Sequence, residues 1–264
     1  MSDYQTISVT VDGPVARLSL DRPEVRNALN PEMIGEITAA FSEFNENPNV
    51  RVVILRGNGG VFCAGGDLNW MKDVLGQTEE EVREDSRHLL NMYRSINGSP
   101  KPVIAALEGA VIAGGLGLIA CSDVVIAEAE TKFCVSEVKI GLAPGIIAAY
   151  MLPRIGLGWM RYLSKTAVLF DSETARTAGL VHEIAVDTAD LDNRIAAHIK
   201  LALGASPDAI ARTGRLIDDL GYVVTEEMLS TGLKYNAKAR LSDEAQEGIS
   251  SFLEKRKPEW MDDG

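Results

Sequence analysis

The chain has 264 residues, 46% of them hydrophobic and 24% charged, which is ordinary globular composition and excludes a disordered or fibrous protein. With 26 basic against 38 acidic residues its formal charge is −12, which argues against nucleic acid and against an anionic membrane surface as partners, while leaving a local site free to bind an anionic small ligand. Three cysteines, Cys63, Cys121 and Cys134, read as reduced thiols; the N-terminus has no basic, apolar leader, and no apolar run is long enough to span a bilayer, so the expectation is a cytoplasmic protein.

Ile7, Val9 and Val11 alternate with polar residues, Asp12-Gly13-Pro14 follows, and Ala16, Leu18 and Leu20 alternate again: a β-hairpin. Asn30-Pro31 is an N-cap with proline in the first turn, and the helix it opens carries Ile34, Ile37, Ala40, Phe41 and Phe44 on one face. Residues 52–55 form a continuous apolar run, as in a strand covered on both faces. The glycine-rich segment 57–66 leads into a helix from Asp67, and a long acidic helix runs through Glu79 to Asp85. Residues 103–107 and 124–127 are two further buried strands, separated by Ala113-Gly114-Gly115-Leu116-Gly117. This alternation of strands and helices means α/β. Ser172 is expected to cap a short helix ending at Gly179, and a strand is expected over 181–186. From Asp190 the pattern is helical, restarting at Ser206-Pro207 and Ser242-Asp243, which divides the chain into a core, 1–205, and a C-terminal helical region, 206–264.

Two strand-to-helix junctions, residues 62–68 and 113–117, are candidates for chemistry. A helix N-terminus leaves backbone N–H groups without partners, and such donors suit a phosphate or a developing oxyanion; the competing reading is tight packing. Neither junction fits a nucleotide-binding fingerprint. His88, His182 and His198 are isolated, so no metal site is expected, and His182 reads as structural. Cys63 and Ser136 are weak nucleophile candidates, with no histidine tied to either by local sequence. Glu137 stands in the apolar stretch FCVSEV, where a carboxylate is costly unless it is paired or functional. Burial would raise its pKa and make it an acid and base usable near neutrality; a salt bridge to Lys132 or Lys139, or simple exposure, is the alternative.

Taken together and in this order, the two junctions and Glu137 resemble the enoyl-CoA hydratase/isomerase (crotonase) superfamily. The matching stretches are Arg22-Pro23 with Asn27-Ala28-Leu29-Asn30, FCAGGDLNWM at 62–71, AGGLGLIACSDVVIA at 113–127, KFCVSEVKIGLAPG at 132–145, Gly179-Leu180-Val181, and FLEKRKPEW at 252–260. The resemblance implies a spiral of β-β-α turns with a C-terminal helical region, assembled as a homotrimer or as a homohexamer of two trimers. It implies an acyl-CoA substrate, with no cofactor beyond the CoA moiety, and a thioester oxygen held by two backbone N–H groups, here those of Ala64 and Gly114. Backbone from Ala64 through Gly65, Gly66 and Asp67 to Leu68 would contact CoA, with Val25 and Arg26 nearby, and Phe252 and Lys255 of the C-terminal region would help to cover it.

One position departs from the family pattern. Hydratases with two catalytic glutamates carry the first of them three residues after the second oxyanion glycine, and Gly117 stands there. Glu137 matches the second. With one carboxylate, two enzymatic readings follow: addition of water to a 2-enoyl-CoA, or movement of a double bond from the 3,4 to the 2,3 position. A catalytically degenerate scaffold is the third. The stretches at 136–156 and 179–184 resemble the branched glutaconyl-CoA hydratases, which favours hydration of a branched 2-enoyl-CoA. Trp70, Met71, Ile146, Ile147 and Tyr150 are candidates for the acyl pocket, with core or interface packing as the alternative.

Overall fold

A computed structural model of the chain describes residues 4–73, 75–220 and 224–260. The hairpin forms as its alternation requires: β1 (Ile7–Asp12) and β2 (Val15–Leu20) pair antiparallel through the turn at Gly13. Asn30 caps α1 (Pro31–Glu46), its side-chain oxygen accepting from Met33 N, and Ile34, Ile37, Ala40, Phe41 and Phe44 are buried. The chain then lays down β3 (Val52–Gly57), α2 (Leu68–Asp73), α3 (Glu79–Asn97), β4 (Val103–Leu107), β5 (Ala110–Ile112), α4 (Gly114–Ala120), β6 (Val124–Glu128) and β7 (Lys132–Cys134). A 3-10 turn over Glu137–Ile140 precedes α5 (Gly145–Thr166). After it come β8 (Phe170–Asp171), α6 (Ser172–Ala178), β9 (Glu183–Ala185), α7 (Thr188–Gly204), α8 (Pro207–Asp219), α9 (Glu226–Arg240) and α10 (Asp243–Leu253).

Six strands form one sheet in the order β1-β2-β3-β4-β6-β9, parallel throughout except for the opening hairpin. The fully buried runs at β3 and β4 are what a parallel sheet covered on both faces requires. A second sheet, β5-β7-β8, is built from strands of two or three residues. These strands are too short for alternation to mark them, and the sequence reading did not separate them from the loops. Two boundaries also move. Asp171, not Ser172, caps α6, its carboxylate accepting from Thr174 N, while the Ser172 hydroxyl is turned inward onto the Glu128 carbonyl. The strand expected over 181–186 is reduced to β9, because His182 is spent on the edge of β6, exchanging backbone and ring hydrogen bonds with Val125.

The last helices fold back over the core. Gly145 in α5 and Gly232 in α9 cross so closely that a Cβ on Gly145 would lie 2.3 Å from the Gly232 carbonyl oxygen. α9 packs on α5 and α3, and α10 packs on the 3-10 turn over Glu137–Ile140 and on α2. Among the described residues no helix is long and apolar enough to cross a membrane.

Candidate active site

The two junctions lie side by side. Cys63 and Val111 form a parallel bridge, with Cys63 N donating to Ala110 O at 3.0 Å and Ile112 N to Cys63 O at 2.9 Å. The same register carries Gly66 towards Gly114, and both line one cavity. Gly65 sits at the contact point: its φ is +100°, and a Cβ there would meet the Ala113 methyl at 3.3 Å. The first junction is also tied down from the N-terminal side. Leu29 N donates to Gly65 O at 2.7 Å and Asp67 N to Leu29 O at 2.8 Å. Asn27, fully buried, donates from its amide to the carbonyls of Asn58 and Val61, and Arg22 pairs with Asp67 at 2.8 Å.

These ties decide which amides are free. The Ala64 N–H donates to the Arg26 carbonyl at 3.0 Å, and Ala64 is not among the residues lining the cavity. The expectation that Ala64 supplies an oxyanion donor is therefore corrected. In the parallel bridge of Leu29 with Gly66, Leu29 bonds to the residues flanking Gly66, so the Gly66 N–H points away from it. Gly66 lines the cavity, and its N–H has no partner among the described residues. Gly114, the first residue of α4 and the second donor expected, lines the same cavity, and its N–H likewise has no partner among the described residues. Ala113 before it takes φ +46° and ψ −114°, a strained conformation for a residue with a side chain, and is held by its N–H donating to Cys134 O at 3.0 Å.

Glu137, from the turn after β7, lines the same cavity as Gly66 and Gly114. It forms no ion pair among the described residues; Lys139 instead donates to the Cys134 sulfur at 3.7 Å. The Glu137 Oε2 atom is buried without a hydrogen-bond partner. Burial pushes its pKa up from 4.5 to about 7, opposed only by its own backbone N–H. An orphaned carboxylate oxygen in an apolar wall, protonated and ionised in comparable amounts at neutral pH, is poised to take a proton and return it.

The cavity encloses about 120 Å³ and is mainly apolar. Trp70, Met71, Ile146 and Ile147 line it, along with Leu29, Tyr93 and Leu142. Tyr150 does not: it packs behind Tyr93, with ring centroids 5.8 Å apart, and lines a separate cavity with Arg154 and His182, so its place in the acyl pocket is corrected. The space beside Gly117 is filled by another residue. A Cβ on Gly117 would lie 2.6 Å from Tyr93 Cε1 and Cζ and 2.8 Å from Ile147 Cγ2, so the ring of Tyr93 stands where a glutamate side chain would begin.

Sequence reasoning missed Tyr93, Asn236, Arg240 and Ile249. Tyr93 comes from α3, while Asn236, Arg240 and Ile249 come from α9 and α10, which reach the cavity of Glu137 only because the C-terminal helices fold back. Of the remaining expected residues, Asp67 has its carboxylate engaged by Arg22 and by Asn69 N, which it caps at 2.8 Å. Val25, Arg26, Leu68, Phe252 and Lys255 are exposed. Cys63 is fully buried with its thiol pushed up to about 12, which leaves it no nucleophilic role near neutrality. No group of three or more histidine, cysteine or acidic side chains that could hold a metal occurs among the described residues.

Comparison with known proteins shows the family. The family profile described as enoyl-CoA hydratase/isomerase matches residues 10–263. The chain is 31% identical to the crotonyl-CoA hydratase of Syntrophomonas wolfei over 98% of each chain. It is 30% identical to the peroxisomal Delta(3,5)-Delta(2,4)-dienoyl-CoA isomerase of Arabidopsis thaliana, again over 98% of each. The crystal structure of an enoyl-CoA hydratase from Shewanella pealeana superimposes with a TM-score of 0.81 at 35% identity, covering 98% of this chain and 97% of that one.

Proposed function

This chain belongs to the enoyl-CoA hydratase/isomerase family, and we propose that within it the protein is a hydratase, adding water across the 2,3 double bond of a short, branched 2-enoyl-CoA. The observation that carries this reading is Glu137: a carboxylate whose Oε2 is buried without a partner and whose pKa is pushed up to about 7, in one cavity with the free amides of Gly66 and Gly114.

The thioester oxygen accepts from the two amides. Glu137 in its ionised form takes a proton from water, and the hydroxide so formed adds to Cβ. The electrons of the double bond move through Cα to the thioester carbonyl, whose oxygen becomes the enolate oxygen. Glu137 then gives its proton to Cα, the thioester carbonyl re-forms, and the carboxylate is regenerated. Each backbone donor aimed at such an oxyanion is worth about 3 kcal/mol in other enzymes. Exposed Val25, Leu68, Phe252 and Lys255 are left to contact the CoA moiety outside the cavity. An engineered apolar cavity of about 150 Å³ holds benzene, so the volume here suits an acyl group of roughly four to six carbons. The exposed apolar side chains Leu216, Ile217 and Leu220 at the end of α8 support assembly into trimers, where they would be covered.

A second reading has its own support. With Tyr93 in place of a second carboxylate, one base remains, and one base suffices to carry a proton between Cγ and Cα of a 3-enoyl-CoA. Mass spectrometry of matched 2-enoyl- and 3-enoyl-CoA thioesters, straight and branched, separates the two. A gain of one water that is lost in Glu137→Gln supports the hydratase. Unchanged mass with a new chromatographic peak makes the protein an isomerase.

A further inference from the structure

We propose that Arg240 is the receptor for a carboxylate on the far end of the acyl chain, so that this site takes thioesters of dicarboxylic acids; the assignment rests on reading the cavity as the acyl-CoA site.

Arg240 ends α9 and lines the cavity that holds Glu137, yet it is only 7% exposed. A buried guanidinium is costly unless its charge and its five N–H donors are satisfied. Here only Nη2 has a protein partner among the described residues, the Asp85 Oδ2 atom at 3.5 Å, long for a hydrogen bond, and the other N–H groups have none. That same oxygen already accepts from Trp70 Nε1 at 3.1 Å and from Gln77 Nε2 at 3.2 Å. Glu137 is not the missing counter-ion either, since its Oε2 has no partner.

The arrangement fixes the guanidinium while engaging only Nη2 among its donors. Its central carbon lies 5.3 Å from the centroid of the Trp70 ring, a cation–π contact that orients the group and leaves its edges available. Asn236, one helical turn earlier, adds an amide to the same wall. A planar, delocalised cation with free edge donors in a mainly apolar cavity is complementary to a carboxylate, which it can hold through two parallel hydrogen bonds. A neutral acyl chain would leave those donors and that charge unmatched.

The test uses saturated thioesters, whose binding does not depend on any reaction. Dissociation constants for glutaryl-CoA and pentanoyl-CoA, equal in carbon number, are measured by calorimetry for the wild type, Arg240→Met and Arg240→Lys. The wild type is expected to bind glutaryl-CoA at least tenfold more tightly. Arg240→Met is expected to bring the two constants to within about threefold of each other, with Arg240→Lys between, because a lysine keeps the charge but not the bidentate geometry. Equal affinities in the wild type overturn the assignment, and that comparison needs no variant to fold. So does an equal loss for both ligands in Arg240→Met, which would mean that Arg240 touches CoA or only supports the fold. If the wild type discriminates but neither hydrates nor isomerises any enoyl thioester, the hydratase reading falls and the carboxylate site stands.

Discussion

The Tyr93 hydroxyl donates to the Gly114 carbonyl oxygen at 2.8 Å, so the residue that fills the space beside Gly117 also fastens the junction that presents the Gly114 amide. Burial holds the Tyr93 phenol well above its ordinary pKa, so it remains a donor throughout the working range. Tyr93→Phe removes this part-buried bond to the Gly114 carbonyl. Stability is expected to fall by about 1 kcal/mol. Because the ring itself is kept, the acyl pocket is unchanged and KM should stay within about twofold. A loosened oxyanion donor acts on the enolate, so kcat is expected to drop about tenfold. Thermal unfolding and steady-state kinetics check both. A fall in stability with kcat unchanged would confine Tyr93 to packing.

Gly117→Glu puts a carboxylate where two-glutamate hydratases carry their first, and here it is expected to fail. A Cβ at this position already lies 2.6 Å from the Tyr93 ring and 2.8 Å from Ile147, before any carboxylate is placed. Overpacking and burial of an acid together are expected to cost about 3 kcal/mol or more. Tyr93→Ala in the same chain vacates the ring's volume. The double variant should therefore be less destabilised than the two single changes summed, a coupling that a double-mutant cycle in urea measures directly.

Position 117 also marks how far the sequence could be read. Gly117 was visibly not an acid, but nothing near it in the chain says that Tyr93, 24 residues earlier on α3, stands in the gap. Likewise the motif around Ala64 announced backbone donors, and its small residues made the close approach legible. Which amide is free depends on Leu29 and Arg26, from another loop, consuming the neighbouring groups. The large sheet was readable because β1 and β2 alternate apolar with polar residues and β3, β4 and β6 are five or six residues rich in buried β-branched and aliphatic side chains, β9 excepted. The small sheet was not, because its strands are only two or three residues long, too few for alternation to mark them. Arg240 was invisible for a different reason: in sequence it is one of several basic residues on an amphipathic helix, and only the docking of α9 on α3 and α5 buries it.

The raised pKa of Glu137 has consequences for both rate and stability. As a base it must be ionised, so kcat is expected to rise with pH to a plateau above about 7. Glu137→Gln is expected to lower kcat by about 10²- to 10⁴-fold at all pH values. Stability runs the other way. The folded chain holds this proton more tightly than the unfolded chain, whose carboxyl has the ordinary value of 4.5, so the contribution is full at low pH and is lost as pH climbs from 4.5 to about 7. The loss amounts to about 3 kcal/mol. Glu137→Gln cannot ionise and should be more stable than the wild type at pH 8, with little difference at pH 4. Urea denaturation at the two pH values tests this, and an equal difference at both would mean that Glu137 is not buried in the folded chain.

The assignment of Gly66 over Ala64 as the first oxyanion donor is open to direct observation in a crystal of the protein with a saturated acyl-CoA. The thioester oxygen is expected within about 3 Å of both Gly66 N and Gly114 N, the range in which a backbone donor stabilises an oxyanion. Ala64 N should keep its bond to the Arg26 carbonyl, now 3.0 Å long. The alternative has a clear signature: Arg26 would have to swing away, releasing Ala64 N. Arg26 and Asn27 both hold positive φ, and Asn27 is clamped by Asn58 and Val61, so that movement would unmake a buried network to gain one donor. A second approach avoids crystals. The carbonyl stretch of the bound thioester shifts to lower frequency as donors are added, and Gly66→Pro deletes one N–H at a position whose φ is not in the left-handed region. If Gly66 is the donor, the shift shrinks in Gly66→Pro. If Ala64 is, the shift survives the substitution unchanged.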